Sequence, residues 1–135
     1  MAYALGEFSS TAIIQEFTDG GAGVTKGDVV TITPAAASTV ATVTNSDASG
    51  NGPYAVAIET AVASAKVRCV IYGEVGVDAS GNGYQGALVY GKGGSAVTRT
   101  LSSYDPETAA PALGRVTEGA ADGGVCTVWV GIGGI

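Results

Sequence analysis

Glycine, spread along the whole chain, is what most limits the fold this sequence can adopt. The 135 residues include 22 glycines, and these interrupt every stretch that would otherwise sustain the 3.6-residue apolar period of an amphipathic helix. Between them stand short runs of Val, Ile and Thr, whose branched side chains suit an extended, pleated backbone. Short strands with turn signals every eight to twelve residues or so describe a small barrel or a sandwich. The expected class is all-β: one compact domain over residues 11–135, preceded by an N-terminal arm over residues 1–10 that has no clear period and is mobile unless something holds it. A chain of this length buries about two thirds of the surface it exposes when unfolded.

The strands read off in order. Residues 11–17 form the first, stopped by Asp19-Gly20-Gly21-Ala22-Gly23. Residues 29–33 form the second, and residues 38–44 alternate apolar and hydroxyl side chains as a strand with one wet face does. Residues 45–53 carry the strongest loop signal, residues 54–58 return as a strand, and residues 59–65 read as a turn. Residues 66–77 are the longest β signal, with a bend or bulge expected at Gly73 and Gly76. Residues 78–83 read as a hairpin-type loop, residues 87–90 as a strand, Gly91-Lys92-Gly93-Gly94 as a turn and residues 96–101 as another strand. After a surface connection over residues 102–111, residues 113–118 and 125–132 complete the pattern.

Parts of this pattern occur twice. Residues 56–61 lead through a small-residue turn to residues 67–73, and residues 113–118 lead through a glycine-rich turn to residues 125–131. The offsets are 57 from Val56 to Leu113 and 58 from Val67 to Val125, so one extra residue in the second turn reconciles them. Gly27-Asp28-Val29-Val30 and Gly86-Ala87-Leu88-Val89, 59 apart, open the two halves. Two similar meanders are one architecture that would produce this, as two pseudo-repeated β units. The shared residues are Gly, Val, Ala and Thr, which also recur wherever strands and turns alternate.

Charge and chemistry narrow the function. Charged residues make up 13 % of the chain, against about 25 % in an ordinary globular domain, and a weakly charged, small-residue surface suits close packing against other protein. The net charge is −6, and Lys26, Lys66, Arg68, Lys92, Arg99 and Arg115 are scattered singly. This argues against direct nucleic-acid binding, which needs clustered cations to displace counterions. There is no histidine, which removes the usual general base and the commonest metal ligand. Asn45-Ser46-Asp47-Ala48-Ser49-Gly50-Asn51 resembles the start of a calcium loop but lacks its closing Glu. The glycine-rich runs at residues 81–83 and 91–94 lack the phosphate-binding pattern. Asp78, Asp105 and Glu107 are loop carboxylates with no base or nucleophile arranged beside them. The expectation is a protein that is not an enzyme and has no cofactor or metal.

Cys69 and Cys126 each lie in a hydrophobic strand and read as buried free thiols, a disulfide being the alternative if the two halves face each other. With no apolar run of membrane-spanning length and no signal-like start, the chain reads as soluble, off the membrane and made in the cytoplasm. Trp129, the one tryptophan, points to the opposite face from Val128 and Val130. It reads as a core or subunit-interface anchor, or else as a platform for stacking a sugar.

In its order of pieces the chain resembles the small capsid cement, or head decoration, proteins of tailed bacteriophages. The residues carrying the resemblance are Val24 with the Gly27-Asp28-Val29-Val30 entry, residues 54–61, residues 67–75, residues 86–90, Leu113-Gly114-Arg115-Val116 and residues 125–130. The resemblance implies a non-enzymatic β protein that binds the major capsid protein on the outside of an assembled head, often as a homotrimer, and stiffens the shell. The Ala/Ser/Thr-rich stretch over residues 35–52 is longer than in that pattern. The unpatterned arm is then the expected capsid-gripping segment, with Met1, Ala2, Tyr3, Ala4, Leu5 and Phe8 as its contacts, adding a strand to a neighbour's edge. The rival reading is a carbohydrate-binding or adhesive β module of a tail fibre or cell surface.

Overall fold

The structure, a computed structural model, describes residues 3–33, 40–45, 54–78, 85, 88–92, 100–103, 113–121 and 123–131. These hold nine strands and no helix: β1 (Ile13–Asp19), β2 (Val29–Thr33), β3 (Thr42–Thr44), β4 (Tyr54–Ala57), β5 (Lys66–Asp78), β6 (Leu88–Lys92), β7 (Thr100–Ser103), β8 (Gly114–Glu118) and β9 (Val125–Val130). The order across the sheet is β1-β3-β2-β4-β5-β9-β8-β6-β7, and β1 also pairs with β5. That extra pairing closes β1, β3, β2, β4 and β5 into a five-stranded barrel. β9, β8, β6 and β7 extend from the far half of β5 as a second sheet. Among the described strands only β1 and β3 run parallel; every other strand pairing is antiparallel.

The two layers have separate cores, and strand alternation distributes side chains between them. Phe17, Val24, Val30, Val43, Ala55, Ala57, Val67 and Cys69 cluster inside the barrel. Val29, Tyr54, Val56 and Val70 point the other way and pack with Val75, Val77, Leu113, Val116, Cys126, Val128 and Val130. β4 lies between the layers, which is why Tyr54, Ala55, Val56 and Ala57 are all buried. Small alanines fill the narrow barrel, and the larger pair fills the space beneath the second sheet.

β5 serves both layers by changing phase. Val70 shares a core with Val75 and Val77, although strict alternation would put the even and odd positions on opposite faces. The switch lies between them. Ile13 and Ile14 are adjacent in β1 yet pair with Tyr72 and Val70, leaving Ile71 as the extra residue of a bulge. Gly73 follows at φ +116°, where a Cβ would stand 2.8 Å from the Cα of Ala12. The bend expected at Gly73 is present; Gly76 has a different role, as the seat of the arm.

Several expectations need correction. Asp78 does not open a hairpin, because β5 pairs with β9 while β6 pairs with β7 and β8. Turn residues mark where a strand ends and say nothing of where the next one pairs. Gly91 and Lys92 continue β6 instead of turning, opposite Leu101 and Thr100. The first strand runs two residues later than its apolar pattern, since β1 continues through Thr18 and Asp19 to pair with β3. The two related hairpins both exist, β4–β5 and β8–β9, but in different registers. Carrying the Ala57–Cys69 pair forward by 57 and 58 residues would set Gly114 opposite Thr127; instead Gly114 pairs with Val130. Both cysteines are free and buried, one in each core.

Candidate functional site

The arm and Trp129, far apart in sequence, converge on the outer half of β5. Beyond Tyr72, β5 has β9 on one edge, and the other edge has run past β1. The arm takes that place. The Gly6 amide donates to the Gly76 carbonyl (2.9 Å), the Gly76 amide to the Glu7 carbonyl (3.0 Å) and the Ser9 amide to the Glu74 carbonyl (3.0 Å). Leu5 bridges Gly76 in a parallel sense and Phe8 bridges Val75 antiparallel, while the Tyr3 amide donates to Thr127 Oγ1 (3.2 Å).

Glycine makes this seat. A Cβ at Gly76 would overlap the Ala4 carbonyl oxygen, and one at Gly27, where φ is +94°, would overlap the Leu5 side chain. Lys26 Nζ then pairs with Glu7 Oε1 at 2.8 Å across the exposed rim. Of the anticipated contact residues, Tyr3 and Leu5 are partly buried and Ala4 and Phe8 exposed; Met1 and Ala2 lie outside the described residues.

Two aromatic rings meet on the strands beside the arm. Tyr72, 42 % exposed, meets Trp129 edge to face with ring centroids 5.9 Å apart and planes at 88°, a geometry favoured by the ring quadrupoles. Gly131 at φ +95° lets the Tyr72 ring lie close, since a Cβ there would come within 3.0 Å of Tyr72 Cδ2. Trp129 is half-buried, so it anchors neither core. Its Nε1 is shielded from solvent and finds no hydrogen-bond acceptor among the described residues. Ile13, opposite Tyr72, adds an exposed apolar side chain.

Polar groups frame the rings. Glu74 and Arg115 flank Trp129 on the two neighbouring strands, and the Thr117 hydroxyl donates to Glu74 Oε2 at 3.0 Å. Tyr72 and Trp129, with Ile13, therefore form a partly exposed aromatic face over residues 72–76 of β5 with a polar rim, whereas Phe8 stands opposite Val75, a core residue on the other face of that strand. Among the described residues no group of three or more His, Cys, Asp or Glu side chains is placed to hold a metal, and Asp105 and Glu107 lie outside those residues. Burial pushes the Cys69 thiol up to about 12 and the Cys126 thiol up to about 11, so both stay protonated and unreactive near neutrality.

Sequence reasoning singled out Trp129 and the arm but not Ile13, Tyr72 or Glu74. The available signal was weak: Tyr72 directly precedes the glycine that changes the phase of β5, and only the bulge brings it beside Trp129.

No protein-family model matches the chain, and no curated protein matches it in sequence. Its fold is similar to that of the crystal structure of the head fiber gp8.5 N base of bacteriophage phi29, with a TM-score of 0.62 and 14 % identity over 91 % of this chain and 98 % of that one.

Proposed function

We propose that this protein is a non-enzymatic structural component of a phage head, a decoration protein that binds the major capsid protein on the outer surface as a homotrimer and stiffens the shell. The observation that carries the reading is the fold shared with the phi29 head fiber base across nearly the whole of both chains. The low charge and the aromatic face around residues 72–76 support it, because Tyr and Trp are enriched where proteins meet and charged residues are depleted there. In this reading the arm, seated on β5, and the neighbouring Ile13, Tyr72 and Trp129 together form the surface laid on the shell. A protein that binds only the assembled shell stabilises it by mass action, and many copies on a symmetric lattice reinforce one another.

The test is reconstitution with heads of the phage that encodes the chain. The purified protein is expected to co-sediment with them at saturable stoichiometry and to raise their disruption temperature, with Tyr72→Ala weakening binding. Absence of binding to any capsid lattice would sink the reading, and normal decoration by a chain lacking residues 1–10 would remove the arm from the contact.

A glycan-binding module is the second reading, favoured by one observation: Tyr72 and Trp129 form a partly exposed aromatic pair beside Glu74 and Arg115. Because Trp129 is the single tryptophan, its fluorescence during titration with soluble oligosaccharides reports on that pair directly.

A further inference from the structure

We propose that the arm is exchanged between copies of this chain, residues 3–9 of one copy lying on β5 of another. The seat and the segment that fills it are both in view. Glu74, Gly76 and Thr127 hold the arm by hydrogen bonds, and Lys26 holds it by the ion pair to Glu7. Gly27 and Gly76 leave the room that Leu5 and Ala4 occupy. All of these partners lie on the body of the domain, so an identical arm arriving from a second copy meets the same set. The arm is the occupant whose fit to this seat the structure displays.

Little else ties the arm to its own body. No arm residue belongs to either core cluster, so lifting residues 3–9 breaks edge bonds while neither cluster loses a member. The connection back to β1 is a single turn, closed by the Ala12 amide on the Ser9 carbonyl at 3.0 Å and by the Thr11 amide on Ser9 Oγ at 3.2 Å. Ala12 lies against Gly73, which confines the hinge to Ser9, Ser10 and Thr11. Ser10 and Thr11 are exposed. The hinge holds no Gly, Pro, Asn or Asp, and Ser and Thr hydroxyls favour a bend only weakly. Straightened, it reaches about 3.3 Å per residue and carries the arm away from its own seat.

The closed and exchanged forms share every contact except this turn, so concentration decides between them. An arm tethered by so short a hinge competes for its own seat at an effective concentration of about a millimolar. Exchange matches it when copies are that crowded, reciprocally in a pair or around a closed ring. The exchange itself requires no shell.

Carbodiimide cross-linking of the full-length protein tests it, with heavy-nitrogen and unlabelled batches mixed in equal amounts and incubated without capsids. Lys26 Nζ and Glu7 Oε1, 2.8 Å apart, are close enough to be joined directly as an amide. The masses of the joined peptides then show whether one chain or two supplied them. At about millimolar concentration roughly a quarter of the Lys26–Glu7 conjugates should carry both labels, and at about 10 micromolar roughly one in two hundred. Lys66 and Glu16, paired at 3.5 Å between β5 and β1, stay within one chain, so their conjugates should carry a single label at both concentrations. Gly76→Ala, which displaces the arm, should abolish Lys26–Glu7 conjugates of either kind. Lys26–Glu7 conjugates that remain single-label at millimolar concentration would overturn the inference. So would mixed labels that are equally frequent at Lys66–Glu16 or that persist in Gly76→Ala. Binding to heads is not read by this experiment, so its outcome stands apart from that of the reading above.

Discussion

The two halves of β5 lie in different surroundings. From Lys66 to Tyr72 its edge is paired with β1 and the barrel is closed, so that stretch exposes no open ladder. From Gly73 onward it pairs with β9, and its other edge is covered by the arm through three backbone hydrogen bonds. An unpaired strand edge invites association with other chains, and β5 has this edge covered by closure in one half and by an overlaid segment in the other. Closure ties a strand to the whole barrel, whereas an overlaid arm is held locally and opens at lower free energy. The half that opens more easily carries Glu74, opposite Trp129 on β9, and the exposed Tyr72 ring stands at the boundary between the two.

The largest test of this contrast is to cut into the closed half. Phe17 is 2 % exposed and is the largest side chain in the barrel cluster, so Phe17→Ala should cost about 3–5 kcal/mol in urea unfolding. A loss well below that range would mean that the second sheet, and not the barrel, holds most of the stability.

Next in size is the junction. Gly73→Ala places a Cβ at φ +116°, 2.8 Å from the Cα of Ala12, and should destabilise by about 2–3 kcal/mol from backbone strain and overpacking together. The same substitution should quench the Tyr72–Trp129 contact, visible as a change in near-ultraviolet circular dichroism. An unchanged spectrum with full stability would show that the phase change of β5 does not depend on this glycine.

How much of this was legible beforehand depends on the range over which each signal acts. Strand existence is a local property of Val, Ile and Thr between glycines, and the spans read for β2, β4, β5 and β9 lie within a residue or two of those observed. Pairing is not local. Nothing in residues 78–83 tells β5 to pair with β9, 50 or so positions on, in place of the nearby β6; the choice is made by Val75, Val77, Cys126 and Val128 sharing a core. The phase change at Gly73 also decides which side chains reach the surface, so Tyr72 and Ile13 cannot be assigned to the site without it. Buried Asp28 shows a related limit. Its carboxylate accepts from the Thr25 amide (2.9 Å) and from Asn45 Nδ2 (2.6 Å), binding together two turns that the sequence displays only as separate polar residues.

A smaller effect is expected at the arm. Gly76→Ala should displace residues 3–9 from β5, costing about 1–3 kcal/mol for three net backbone hydrogen bonds. Amide exchange should become fast at Gly6, Ser9 and Gly76 while the barrel amides of β2 and β4 keep their protection. Equal acceleration in both regions would show that the arm opens only with the whole domain and would remove the contrast between the two halves of β5.

The smallest effect separates the two cores by pH and vanishes near neutrality. Burial raises the Cys69 thiol in the barrel from 9.0 to about 12 and the Cys126 thiol beneath the second sheet from 9.0 to about 11. Below pH 9 both thiols are protonated whether the chain is folded or unfolded, so their burial contributes fully and stability does not depend on them. Above pH 9 the unfolded chain loses these protons first, and stability falls as pH rises. The fall due to Cys126 should be complete near pH 11 and that due to Cys69 near pH 12. Cys69→Ala should therefore remove more of the alkaline loss than Cys126→Ala, measured as the change in urea midpoint between pH 8 and pH 11.5 or so. In the native protein neither thiol should react with a disulfide reagent near pH 8, and both should react once it unfolds. If Cys126 alone reacts in the folded state, the second sheet opens while the barrel stays closed, which is the behaviour expected of a region whose edge is covered and not closed.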